Sequence, residues 1–186
     1  MERVLILNGG YLARSPSGGD RHLLALAAAL GEHPEVESAI LYAPELARDW
    51  LPEGAAAWIY PGGVPGSTAS AVAAYMARVA RVIRRIAASR SSGEPPATVV
   101  LASPSPVDLV PAFWHRLLFG SRIVAFAFHV GDSAAAGRPR RGVQALISRL
   151  AGWPAGRLLL RVDRVVTSTT EVRRQLLELG VREERL

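Results

Sequence analysis

Two apolar patterns alternate along the chain. Short apolar runs occur at residues 3–8 (RVLILN), 36–43 (VESAILYA), 98–103 (TVVLAS), 122–130 (RIVAFAFHV) and 163–168 (DRVVTS). Runs of this length suit strands covered on both faces in a parallel sheet. Residues 56–61 (AAWIYP) predict one more, weaker strand. Between the runs the apolar spacing changes to three and four, the period of a helix with one buried face.

The first helix is predicted from Asp20, a good N-cap, to about Leu30, with Leu23, Leu24, Ala27 and Leu30 facing inward and Gly31 as the stop. Residues 69–89 give the clearest helix. Val72, Tyr75, Met76, Val79, Val82, Ile83 and Ile86 form its inward face, with Arg78, Arg81, Arg84 and Arg85 mostly off it. Residues 107–119 read as a surface helix that contains His115 and on which Phe113, Trp114 and Leu117 pack on the sheet. A further helix starts near Val143, is broken near Pro154 and continues through GRLLLRV. The last spans 170–180 and stops at Gly180, with Ser168-x-x-Glu171 fitting a capping box. Strands and helices thus alternate. That pattern predicts an α/β fold: one Rossmann-like, three-layer α/β/α domain over 1–186, with a mainly parallel sheet. No internal repeat, low-complexity tract or interdomain linker interrupts it.

Composition narrows the chemistry. Hydrophobic residues make up 49% of the 186 positions, enough for a real core. No apolar run reaches the roughly 18 residues of a membrane span. The opening MERVLILNGG lacks the apolar length and cleavage site of a signal peptide, so a cytoplasmic location is expected. Cysteine is absent, which excludes disulfides, thiolate metal sites and cysteine nucleophiles. All 22 basic residues are arginine, which removes Schiff-base lysine chemistry and a phosphate-loop lysine. The net charge of +6 invites anionic partners. No tight basic cluster is interleaved with aromatics, so no nucleic-acid partner is expected. The arginines of 69–89 beside FWHRLLFGSR (113–122) admit a peripheral contact with anionic headgroups, weighed against the commoner use of such a face, solvation.

In open α/β sheets, ligands sit beyond the carboxyl ends of the strands. The loop after the first strand holds Asn8, Gly9, Gly10, Ser17, Gly18, Gly19 and Asp20. Glycines let a ligand approach the backbone, and the N–H groups opening the next helix favour an anion. A solvated turn capped by Asp20 is the plainer alternative, and its carboxylate competes with an anion for the same N–H groups. His129 ends the fifth strand at the ligand edge, where it can donate to a hydroxyl or simply bond a neighbouring loop. Asp132 reads better as a turn residue than as its orienting partner. Thr169 can present a hydroxyl after the sixth strand. No histidine pair has metal-ligand spacing, so no metal site is expected. SPSP at 103–106 lacks a nucleophile-elbow context.

Four segments in sequence order resemble glycosyltransferase family 4. VLILNGGYLARSPSGGDRHLLALAAAL is similar to the family's opening strand, Gly-Gly loop and helix. TVVLASPSPVDLVPAFW resembles its mid-domain strand, loop and helix, and RIVAFAFHVGD its strand ending in histidine. LLLRVDRVVTSTTEVRRQLLELGVREERL, the most specific match, resembles its late segment. The resemblance covers essentially the whole chain. It implies the N-terminal, acceptor-side domain of a two-domain (GT-B) enzyme that moves a sugar from a nucleotide-sugar donor to a sugar or lipid-linked acceptor. Anomeric configuration would be retained, with no bound metal or other cofactor. By resemblance, Gly18 and Gly19 approach the donor phosphate and the acceptor, His129 lies near the transferred sugar, and Thr169 stands where the family often has serine. Asp20 departs from many members. The chain stops at Leu186, where the family continues into its donor-binding domain, so a truncated piece or half of a split enzyme, inactive alone, is expected. The alternative is a non-catalytic Rossmann-like binding or partner subunit, possessing the fold without the reaction. A nucleotide-binding Rossmann protein is a third reading, weakened by the absence of G-x-G-x-x-G.

Overall fold

The computed structural model describes residues 1–8, 18–51, 56–60, 68–90, 95–128 and 157–186. Six strands form one sheet: β1 (Glu2–Leu7), β2 (Val36–Pro44), β3 (Ala56–Tyr60), β4 (Thr98–Leu101), β5 (Arg122–Ala127) and β6 (Arg164–Thr167). Their order is β3-β2-β1-β4-β5-β6, and every neighbouring pair is parallel. This is a Rossmann-like α/β fold, with a sheet fully rather than mainly parallel.

The pleat sorts the apolar runs into two cores. Successive side chains of a strand point to opposite faces. Leu5 and Leu7 therefore join Tyr42, Val99, Leu101 and Ile123 on one face, and Val4 and Ile6 join Leu41, Ala43, Val100 and Ala102 on the other. Helix α1 (Gly18–Glu32) covers the second face through Leu23 and Ala27. Helices α2 (Thr68–Ser89) and α3 (Pro106–Phe119) cover the first through Val82, Ile86, Leu109 and Ala112. α4 (Thr170–Glu178) adds Val172 and Leu176 to that same core. Short 3-10 turns lie at Glu45–Trp50 and Glu183–Arg185, and residues 157–159 are helical.

Several local expectations are corrected. Helix α1 starts at Gly18, so Asp20 is its third residue rather than its cap. Gly31 stays helical, the helix running on to Glu32. The cap of α4 is Thr169, whose hydroxyl accepts from Val172 N at 3.2 Å, one residue later than the Ser168 capping box predicted. Glu171 is bonded instead to Arg174 and Gln175 along the helix. On α2 Arg78 is buried, while Val72 and Met76 are exposed. On α3 His115 is fully buried on the inner face of the helix, and Trp114 and Leu117 face solvent instead of packing on the sheet. Only Phe113 of that trio leans on the core. The reason is the helical period. Buried Asp108, Ala112 and His115 fix one face of α3, and Val110, Trp114 and Leu117 fall on the opposite one. Gly120 ends α3 at φ 70°, in the left-handed region glycine enters without strain, and its N–H bonds Arg116 O. The predicted helix from Val143 through Pro154 lies outside the described residues.

Candidate functional site

β1 and β4 are hydrogen-bonded neighbours whose chains leave the sheet in opposite directions. After β1 the chain passes to α1 on one face; after β4 it passes to α3 on the other. A crevice opens at the carboxyl edge where such a switch occurs, and ligands of doubly wound folds bind there. Ala102 N bonds Leu7 O at 2.9 Å and Asn8 N bonds Tyr42 O at 3.2 Å, so this edge is fixed up to the last residues of both strands.

On the β4 side the edge is lined by Ser103 and Ser105, both half-buried. Their hydroxyls donate to Asp108 Oδ2 at 3.0 and 3.1 Å. Asp108 is buried, in the first turn of α3. With both hydroxyl protons committed to the carboxyl group, the serine oxygens can only accept from a further partner. They suit a ligand O–H or N–H.

On the β1 side the strand exit is held from beneath. Tyr60 Oη donates to Asn8 O at 3.2 Å, and Tyr42 Oη donates to Arg78 O at 3.2 Å. The two tyrosine rings lie 4.6 Å apart, and the Arg78 guanidinium sits 4.8 Å from the Tyr60 centroid and 5.7 Å from that of Tyr75. Burial pushes the Tyr42 phenol up to about 12 and raises Tyr60 and Tyr75 as well, against the opposing pull of Arg78 on all three. These phenols are permanent hydrogen-bond donors near neutrality rather than acids or bases.

The sequence-derived candidates fall in different places. Gly18, Gly19 and Asp20 form the first turn of α1. His22, in the next turn, stacks on Phe128 at 5.7 Å, so the end of β5 comes beside α1. His129 follows Phe128 and lies outside the described residues, as do Gly9, Gly10 and Ser17. Thr169 stands after β6, three strand positions from β1, which is about 14 Å at the usual strand spacing. Its hydroxyl oxygen is engaged in capping. Asp108, Ser103, Ser105, Tyr60 and Arg78 were missed by sequence reasoning. The only hint was an aspartate three residues after a Ser-Pro pair, a frequent helix-opening pattern.

No protein-family model and no curated protein matches the chain by sequence. Solved structures do match. TcCGT1, solved in complex with UDP, is 14% identical with a TM-score of 0.63, and the match covers all of this chain and 48% of that one. The lipopolysaccharide outer core galactosyltransferase WaaB, in its apo form, is 9% identical with a TM-score of 0.54, covering all of this chain and 44% of that one. The chain thus spans less than half the length of either protein. At such identities the likeness is one of fold.

Proposed function

We propose that the chain is the acceptor-side domain of a glycosyltransferase that draws its sugar from a nucleotide-sugar donor. The observation that carries this reading is the whole-chain overlay on just under half of a galactosyltransferase and of a UDP-bound protein. Fold alone does not fix function, but the edge chemistry agrees with it. Acceptor-only oxygens of Ser103 and Ser105 suit sugar hydroxyls, and the glycine-opened turn of α1 suits a phosphate or a close-lying hydroxyl. The two halves of the crevice are thereby assigned different groups. Gly18 and Gly19 serve the donor phosphate and the adjoining acceptor, and the β4 loop serves the acceptor. The negative charge of the departing nucleotide is met by backbone N–H groups.

The finer assignments come from the family 4 resemblance: retention of configuration, a sugar or lipid-linked acceptor, donor binding mainly through a second domain, His129 beside the transferred sugar and Thr169 contributing a hydroxyl. The experiment is His129→Ala in the protein at its native length. Turnover should fall more than tenfold with an unchanged melting temperature. Loss of activity only in step with loss of folding would make His129 structural and remove its catalytic role.

A further inference from the structure

The exit of β1 is held by a bond that the ladder of strands does not supply. In a parallel pair, the N–H and C=O of alternate residues face the neighbouring strand. Asn8 N donates to Tyr42 O, and Leu7 stands opposite Tyr42, so Tyr42 and the residue two places on turn their main-chain groups toward β1. The next rung would run from the N–H of residue 44 to Asn8 O. Residue 44 is Pro44, still within β2, and proline has no N–H to give. The β1–β2 ladder therefore lacks a donor at the residue where the chain leaves the sheet for the crevice.

Tyr60 fills that place. It stands opposite Pro44 in β3, on the far side of β2 from Asn8, and its Oη donates to Asn8 O at 3.2 Å. The phenol thus reaches across one strand to make the missing rung. Its ring is buried, 4.6 Å from the Tyr42 ring, with the Arg78 guanidinium 4.8 Å from its centroid. Tyr42 Oη donates to Arg78 O, which ties β2 to α2 on the same side of the sheet. Burial keeps the Tyr60 phenol protonated, so it is a donor near neutrality. Phenylalanine would pack the same ring. The hydroxyl is what sets Tyr60 apart, and it is directed at one main-chain oxygen.

From this replacement of a ladder bond by a phenol we infer that Tyr60 is a positioning residue of the candidate site: its hydroxyl sets the heading of the chain as it leaves β1. A peptide is planar, so holding the Asn8 oxygen holds the first peptide plane beyond the strand, where the connection to Gly18 and Gly19 begins. A backbone rung would tie this exit to β2 alone. The phenol ties it to β3 and, through the Arg78 contact, to α2. The inference rests on the reading of this edge as a sugar-transfer site, and it gives Tyr60 no contact with a ligand. Its consequence is preorganisation: a small displacement of a site element costs rate even when it lies away from the reacting atoms. A tyrosine that serves folding alone would lower turnover only in step with stability.

The test removes the hydroxyl and then restores the rung. Asn8 is the sole asparagine of the 186 residues, so labelling asparagine with carbon-13 at its main-chain carbonyl gives a single resonance. Tyr60→Phe keeps the ring and should move that resonance upfield, as loss of a hydrogen bond to the oxygen does. Adding Pro44→Ala, which supplies a ladder N–H, should bring it back. In the protein at its native length, Tyr60→Phe should lower kcat about tenfold with the donor KM changed less than about twofold, and Pro44→Ala in that background should restore most of the loss. The melting temperature should barely move. A resonance that Tyr60→Phe leaves in place, or that Pro44→Ala fails to return, overturns the inference. So does an undiminished kcat, a kcat that falls only in step with folding, or a deficit that persists once the resonance has returned. A native-length protein that transfers from no donor contradicts the sugar-transfer reading instead, and the resonance then still decides whether Tyr60 holds the exit of β1.

Discussion

α3 and α4 cover the same core after β4 and β6 of one sheet, yet they differ in what they bury and what they show to water. α4 buries Val172 and Leu176 and shows water Glu171, Arg174 and Glu178, with Arg174 paired to both glutamates. α3 buries Asp108 and His115 beside Leu109 and Ala112, and shows water Val110, Trp114 and Leu117. An ordinary surface helix resembles α4. The α3 pattern costs stability twice over, through polar groups that need partners inside and apolar groups left wet outside. Such a helix is shaped by demands other than folding. On its inner side Asp108 organises the serines of the candidate crevice. On its outer side the apolar stripe is left in water.

The largest expected effect contrasts two leucines. Leu176→Ala, at a fully buried position, should destabilise by about 2–5 kcal/mol. Leu117→Ser, at an exposed one, should stay within about 0.5 kcal/mol. Chemical denaturation of both variants checks this, and comparable losses would mean that Leu117 is packed rather than exposed.

His115 sharpens the contrast by pH. Its Nδ1 lies 2.9 Å from Ser121 Oγ, and among the described residues its Nε2 has no hydrogen-bond partner. Burial lowers its pKa from 6.5 to about 4. The folded state thus resists a proton that the unfolded chain accepts, so the contribution of His115 is full above pH 6.5 and is lost as pH falls toward 4. The loss is roughly 3 kcal/mol. His115→Leu should flatten the stability profile over that window by about this amount; an unchanged slope would show that the imidazole titrates freely.

The smallest effect belongs to the ordinary helix. Thr169→Ala removes the α4 cap and should cost about 1 kcal/mol. A thermal melt reads this directly. A change in sugar transfer far beyond that loss would reveal a ligand role for the hydroxyl as well.

The same contrast explains what the sequence disclosed. All six strands and the helices at 18–32, 68–89, 106–119 and 170–178 were legible, because apolar runs and three-four spacing follow directly from burial on a parallel sheet. α4 was also read close to its true extent, apart from a one-residue shift of its cap. The faces of α3 were misread. The rule that apolar residues point inward assigned Trp114 and Leu117 to the sheet, the reverse of their places, and gave no sign that His115 is buried. Arg78 escaped for the same reason, since a buried arginine stacked on Tyr60 and Tyr75 has no periodic signature. The candidate site was legible as an edge, from the order of strands and glycines. Its Ser103–Ser105–Asp108 cluster depends on contacts between a loop and a helix turn, which spacing alone does not reveal.

The central claim is that the carboxyl edge works on sugars carried by a nucleotide. Its most direct measurement is release of nucleoside diphosphate from a panel of nucleotide sugars, using the protein at native length and a glycan and lipid extract of its source cell. Release should depend on the extract and should vanish in Gly19→Trp, which blocks the first turn of α1. No release from any donor, or release that Gly19→Trp leaves intact, would contradict the account.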